Sequence, residues 1–448
     1  MGLRRSYLAF NAALGSLYEN DLLQLADATD KPGFDDTAFF DAAGMVYNAG
    51  GFDASQLNTP EARRLIDETL KQLQTAIASG VPHEVPEVVR YALENNAFIF
   101  SGFKAYHTLR EVGLSLLTDK GDIKPFETFR RDVETVNNRY NHNYLYAEYN
   151  HAVGASLMAS RWQQIEKDGD RYDLQYRTAQ DDRVREDHAI LHGTTLPPSD
   201  PFWSLYLPPN GWNCRCTAVQ VRRGKYPQSD PDLAMLRGNN CTEAARQQIF
   251  RFNPGKDLKL FPPKHPYYKA PEAAKQVIDQ MAAVEQNRSL YERLKDNDEY
   301  TDVEFDETTG GVKAIHKEHN TASKGAEYER MAQDAGVKVG AVVILGPESN
   351  KEYQKRHTEG TWNGLQLEIA GKETATENNI KRGLEHCADK RVTEVAVLVF
   401  PNGGFTLDKF NAALRRYNGL AKLNDGQFLK FKKIICIQNG QIVHQVDI

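Results

Sequence analysis

The hydrophobic period of this chain changes twice along its length, and those changes limit what it can fold into. From Pro60 to Gly80 the apolar residues Ala62, Leu65, Ile66, Leu70, Leu73 and Ile77 recur at helical spacing. Thr59 and Pro60 with Glu61 behind them form a helix start. The same texture predicts helices over about 86–118, 124–136 and 140–167, the last stopped by Asp168-Gly169-Asp170. Residues 171–225 lose this period. Tyr172–Ala179 and Cys214–Val221 alternate like strands, and the stretch between them holds Pro197-Pro198 and Pro208-Pro209. A loop that long inside a domain is functional or is held by specific contacts.

Residues 226–270 read as an extended, turn-rich connector, 271–296 as a helix, and 297–322 as a polar, loosely ordered stretch. From Ser323 the pattern becomes α/β. Helices are predicted over about 323–335, 374–388 and 405–419. Strands are predicted over 339–345, 351–358, 362–369, 392–400, 428–436 and 441–447, with Asn439-Gly440 as a hairpin turn. The expected fold is multidomain: a mainly α-helical N-terminal half with a small irregular α+β module, then a C-terminal α/β domain. The boundaries fall at 1–55, 56–225, 226–315 and 316–448, consistent with 448 residues at roughly 150 per domain.

Composition narrows the class. With 40% apolar and 26% charged residues the chain is ordinary globular material. No apolar run approaches the roughly 18 residues that span a bilayer, and Met1–Asn11 does not read as a signal peptide. No membrane partner is expected. The 5 cysteines are sparse and odd in number, which suits a reducing cytosol rather than a disulfide framework. Net charge is −6, but residues 320–448 carry about +3 by themselves, a mildly basic last domain on an acidic body.

The densest motif runs from Tyr176 to Cys216. It contains Arg177, Asp181, Asp182, Arg183, Arg185, Glu186, Asp187 and His188, then His192-Gly193-Thr194-Thr195, then Pro208-Pro209-Asn210-Gly211-Trp212-Asn213-Cys214-Arg215-Cys216. The alternating charges suit a network of charge-assisted hydrogen bonds holding an irregular loop, or a solvated charged face. Cys-x-Cys on a strand puts both thiols on one side. With His188, and with His192 or Cys241 as a fourth ligand, these thiols suit a tetrahedral Zn²⁺ site; the alternative is two small buried apolar residues. A Cys214–His188 dyad would need a third, orienting group that the sequence does not supply.

This motif resembles the signature of the phage Mu F-like (SPP1-type) head morphogenesis family. Phe100-Ser101-Gly102-Phe103-Lys104 and the helix from Asn141 to Trp162 resemble the same family, so the likeness covers roughly 55–225. It implies a minor capsid protein of a phage or prophage, with portal and capsid proteins as partners. The implied location is the virion, or the bacterial cytoplasm during assembly.

Some members of that family carry a toxin domain after the head module. Here three pieces resemble the tRNA-nuclease domain of contact-dependent inhibition toxins: Lys324–Glu348, Glu359–Ile369 and Asn378–Leu384. The order of helices and strands also suits a PD-(D/E)XK-like nuclease core. The resemblance implies an endoribonuclease acting on RNA, such as tRNA, and an immunity protein as a further partner. In such a core, carboxylates on adjacent strands hold a hard cation such as Mg²⁺, which polarises phosphate and activates water. Glu359 and Glu368 are the expected metal ligands and catalytic acids. Glu327, Glu329 and Glu348 could complete the shell, and Lys372 would stabilise developing charge. Lys381 and Arg382 suit phosphate contacts, as do Arg415 and Arg416. Two departures stand out: the position of the usual lysine is Ala370, and Glu359 replaces the usual aspartate. Two other readings remain at this point. The C-terminal domain is an inactive docking module of a purely structural protein, or it is a metal-independent barnase- or EndoU-like RNase using His357 and His386.

Overall fold

The computed structural model describes residues 2–22, 33–81, 85–118, 120–347, 358–390, 392–423 and 431–448. They form two compact units, Met1–Gln280 and Met281–Ile448. No described helix is long and apolar enough to cross a membrane.

Unit 1 opens with helices α1 (Gly2–Leu22), α2 (Asp36–Ala49), α3 (Pro60–Gly80), α4 (Glu87–Leu114), α5 (Phe126–Asn137) and α6 (Leu145–Asp168). Thr59 caps α3 by accepting from Ala62 N, with Pro60 at the first position, as the sequence predicts. A π-helical turn at Asn138–Tyr144 joins α5 to α6. Helix α3 packs its apolar face on α4 and α6. Then come β1 (Tyr172–Arg177), α7 (Glu186–Ala189), β2 (Thr195–Leu196), α8 (Phe202–Tyr206), β3 (Thr217–Arg222), α9 (Pro231–Cys241) and α10 (Pro254–Asp257). The strands form one antiparallel sheet, β2-β1-β3, with Tyr172 opposite Arg222 and Arg177 opposite Thr217.

Two expectations need correction here. Strand β3 begins at Thr217, so Cys214 and Cys216 precede it rather than lie on it. Residues 226–270 are not an extended connector. Their turns alternate with aromatic anchors, and Phe250, Phe252, Phe261 and Tyr267 are all buried in unit 1. Phe261 stacks on Phe100 of α4 at 3.6 Å between centroids. Turn residues alone say little about burial when large apolar side chains separate them.

The centre of unit 1 is polar. Lys104 of α4 and Glu148 of α6 form an ion pair with both side chains fully buried. Tyr18 of α1 donates to Glu148 Oε1 at 2.8 Å. His265 Nδ1 accepts from Tyr267 N, so its Nε2 carries the proton and donates to the Tyr18 hydroxyl, 3.1 Å away. Tyr18 is also stacked between Tyr144 and Trp212, at 4.0 and 4.9 Å. One chain of hydrogen bonds thus joins α1, α4, α6 and the 262–268 turns, and the stacking adds the loop before β3.

Helix α11 (Glu272–Lys295) straddles the unit boundary. Unit 2 continues with β4 (Tyr300–Phe305), β5 (Val312–His316), α12 (Ala326–Val337), β6 (Val342–Leu345), β7 (Gly360–Trp362), β8 (Leu365–Gly371), α13 (Glu377–Ala388), β9 (Val395–Phe400), α14 (Leu407–Leu423), β10 (Lys433–Gln438) and β11 (Gln441–Asp447). All eight strands form one mixed sheet, β11-β10-β9-β8-β7-β6-β5-β4. Strands β8, β9 and β10 run parallel, while β6, β7 and β8 alternate in direction. Period 2 sorts the side chains. Leu367 and Ile369 face α12 with Ala332 and Ala335, and Ala370 faces α13 with Ile380 and Leu384.

The stretch 297–322 is therefore not loosely ordered, since it supplies β4 and β5. The single strand expected at 362–369 is two strands. Asn363 and Gly364 both adopt positive φ, 50° and 79°, in a tight hairpin between β7 and β8. The same signal was recognised at Asn439-Gly440, which also turns with positive φ. The strand expected at 351–358 falls almost wholly outside the described residues.

Two outcomes follow from the buried polar centre of unit 1. Glu148→Ala strands an ammonium in the core and should cost about 3–5 kcal/mol in denaturant unfolding. Lys104→Met combined with Glu148→Leu should recover most of that loss, because the pair is removed together. A single-variant cost below about 1 kcal/mol would contradict a dry pair. The second outcome concerns pH. Burial pushes His107 and His151 down to about 4, and His265 well below the ordinary histidine range. The unfolded chain protonates these rings near pH 6.5 and the folded one does not. Stability should therefore fall as pH drops from about 6.5 toward 4, with proton uptake on unfolding approaching three per chain near pH 5. A flat profile between pH 7 and pH 5 would contradict neutral burial of the three rings.

Candidate functional site

Two side-chain clusters among the described residues bring together groups able to hold a metal: His188, Cys214 and Cys216 in unit 1, and Glu359, Glu368 and His386 in unit 2. In each, the ligand atoms lie within 4.8 Å of one another.

In unit 1, the short helix α7 presents His188 inward, and the turn after Trp212 brings back both cysteines. His188 Nδ1 stands 3.5 Å from Cys214 Sγ and 3.6 Å from Cys216 Sγ. All three residues are buried. Cys216 hydrogen-bonding to Cys214 holds that thiol well below its usual range, against burial and with help from the His188 charge. The hydrogen bond to Cys214, together with burial, pushes Cys216 up. Burial alone would depress His188, but the Cys214 charge outweighs it and pushes the imidazole up to about 10. Both shifts favour the charged forms of the Cys214–His188 pair. The pair lacks what a catalytic dyad needs, since His188 Nε2 makes no hydrogen bond to an orienting carboxylate or amide.

The remaining motif residues frame this cluster. Asp181 takes both terminal nitrogens of Arg215 at 2.6 Å, and these bonds hold its carboxyl down to about 2. The Asp181–Arg215 pair is a charge-assisted contact of the kind the motif's alternating charges suit. Arg177 donates to Gln175, Asp187 accepts from Gln247, and the Arg185 guanidinium lies over Gly211. Arg183 bonds to Asp181 through its backbone N only. Gly193 sits at φ 79° with its N–H on Tyr176 O, and Pro209 packs against Gly154 of α6. Trp212 is fully buried. His192, weighed as a fourth ligand, instead accepts from Thr178 N. Cys241, at the end of α9, is buried and close enough to His188 to help raise its pKa.

These residues also carry the likeness to known proteins. Residues 124–219 match the family model of Phage Mu protein F like protein. This segment is similar to that family. A capsid assembly protein F of Escherichia phage Mu is 41% identical over 69 residues, which are 15% of this chain and 16% of that protein. A Mu-like prophage FluMu F protein of Haemophilus influenzae is 36% identical over 80 residues, 16% of this chain and 19% of that protein. The match thus spans under a fifth of either relative's length. No solved structure matches the chain. The Mu F-like match runs from α5 to β3, includes the His188 cluster, and covers none of unit 2.

In unit 2, Glu359 precedes β7 and Glu368 lies mid-β8. The Asn363-Gly364 hairpin sets them side by side: Ile369 N donates to Glu359 Oε2 at 2.8 Å, and Glu359 N donates to Glu368 Oε2 at 3.3 Å. Glu368 lies on the opposite face of β8 from Leu367 and Ile369. It is 1% exposed, on the face that α13 covers. Its Oε1 lies 3.7 Å from Nε2 of His386, a half-exposed ring on α13. Burial lowers His386, and the nearby charge of Lys372 adds to this. Lys372 itself is exposed just beyond β8.

Two residues of the expected outer shell stand apart from the cluster. Glu329 is buried against His319, 2.9 Å away, and Glu327 is exposed; neither joins the cluster. Glu348 and His357 lie outside the described residues. Lys381 is paired with Glu385, and Arg416 with Glu377, while Arg382 is exposed on α13. Ala370, in the usual lysine position, is buried against Gly383 of α13, where a lysine side chain would have no room.

Proposed function

We propose that this chain acts in head assembly of a tailed phage or prophage, and that unit 2 is a metal-dependent nuclease acting on RNA. The head reading is carried by the Mu F-like match at 124–219 and by two relatives whose names describe capsid assembly and a Mu-like prophage protein. Its partners are then other head and portal proteins.

The nuclease reading is carried by one observation, the convergence of Glu359, Glu368 and His386. The order α12-β6-β7-β8-α13-β9, with β9 parallel to β8, supports a PD-(D/E)XK-like core with acids on adjacent strands. A cation held by Glu359, Glu368 and His386 would supply positive charge for a phosphate and a more acidic bound water. Carboxylates suit Mg²⁺, and the imidazole widens the choice to Mn²⁺. Glu368, buried beneath α13, fixes the position of the centre, and half-exposed His386 forms its outer edge. Lys372, at the strand end, brings the positive charge that Ala370 lacks. An immunity protein would then cover this edge in the producing cell.

The test uses the full chain and Glu368→Gln, each incubated with total bacterial RNA in Mg²⁺, Mn²⁺ or EDTA. Cleavage that needs metal and is lost in the variant is the expected result. Intact RNA throughout, from protein with a native unfolding profile, would leave unit 2 as a docking module. Cleavage that persists in EDTA would point to a metal-independent RNase.

A further inference from the structure

We propose that the Mu F-like segment holds a zinc ion, with His188, Cys214 and Cys216 as its three protein ligands and water in the fourth position. The claim does not depend on the nuclease reading, because it rests on unit 1 alone.

Distances come first. Zinc binds thiolate at about 2.3 Å and imidazole at about 2.0–2.1 Å, and tetrahedral angles then place sulfur and nitrogen about 3.6 Å apart. The two sulfur–nitrogen separations here are 3.5 and 3.6 Å. Hydrogen bonding accounts for only one of them. A neutral ring has one lone pair on Nδ1 and an imidazolium one N–H there, so a single thiol is served either way. One cation beside Nδ1 engages both sulfurs at once.

Room and charge agree. His188, Cys214 and Cys216 line a cavity of about 20 Å³, with Arg183, Arg185 and Arg215 around it. That is space for about one small ion or water. Two thiolates balance a dication, and soft sulfur donors select zinc over magnesium or calcium. The fourth position faces the arginine-lined side and takes water. Asp181 is committed to Arg215. The ion ties α7 to the turn before β3, closing a long loop whose backbone has almost no ladder of its own.

The test is metal analysis of the purified full chain, alongside Cys214→Ser, Cys216→Ser and, as a control, Cys241→Ser. About one zinc per chain is expected in the parent and in C241S, and a loss of most of it in C214S and C216S. Should those two variants misfold, the parent answers by itself. After chelation, Co²⁺ should restore one equivalent with a thiolate charge-transfer band, and iodoacetamide should label Cys214 and Cys216 only in the metal-free form. Absence of zinc with no Co²⁺ band, or stoichiometric zinc retained by folded C214S and C216S, would overturn the proposal.

Discussion

Burying two opposite charges in a helical core is costly unless both are matched, and unit 1 is arranged around that constraint. Lys104 and Glu148 leave water together, and the second carboxylate oxygen still needs a donor. Tyr18 supplies it, and His265 in turn donates to Tyr18. Four distant parts of the chain are thereby fixed against one another, and Trp212 is clamped against the Tyr18 ring. The residues that follow Trp212 are Asn213, Cys214, Arg215 and Cys216. A polar network in the helical core thus sets where the Cys-x-Cys turn begins, and the loop from α7 closes onto it through His188.

The two clusters present different donor sets. Unit 1 offers sulfur and imidazole in a small buried recess, donors suited to a soft ion that holds structure. Unit 2 offers two carboxylates from the middle of its sheet and a half-exposed imidazole on α13, donors suited to a hard ion and an anionic substrate. The mildly basic charge of residues 320–448, set against an acidic remainder, agrees with that difference.

Much of this was legible in the sequence, for physical reasons. Helices α3 to α6 declare themselves through apolar stripes and a Thr-Pro start, because a surface helix buries one face. Lys104 and Trp212 stand within the motifs that carry the Mu F-like resemblance, as do His188 and both cysteines. What stayed hidden depends on tertiary contact. Aromatic anchors among the turns of 226–270 bury a stretch whose Pro and Asn content reads as linker. His386 stands out in the sequence only as one of a histidine pair, and it joins Glu368 because α13 packs on β8. Asp181 has arginines close by in sequence yet pairs with Arg215, which chain reversal brings near. Asn363-Gly364 carries the same hairpin signal as Asn439-Gly440, and that turn separates β7 from β8 and sets Glu359 beside Glu368.

X-ray absorption at the zinc edge, on the full chain as purified, tests the proposed zinc centre most directly. The arrangement of His188, Cys214 and Cys216 predicts two sulfur neighbours at about 2.3 Å and two nitrogen or oxygen neighbours at about 2.0–2.1 Å. A shell of nitrogen and oxygen alone, or no zinc signal from folded protein, would contradict it and leave His188 with its two cysteines as a buried polar contact.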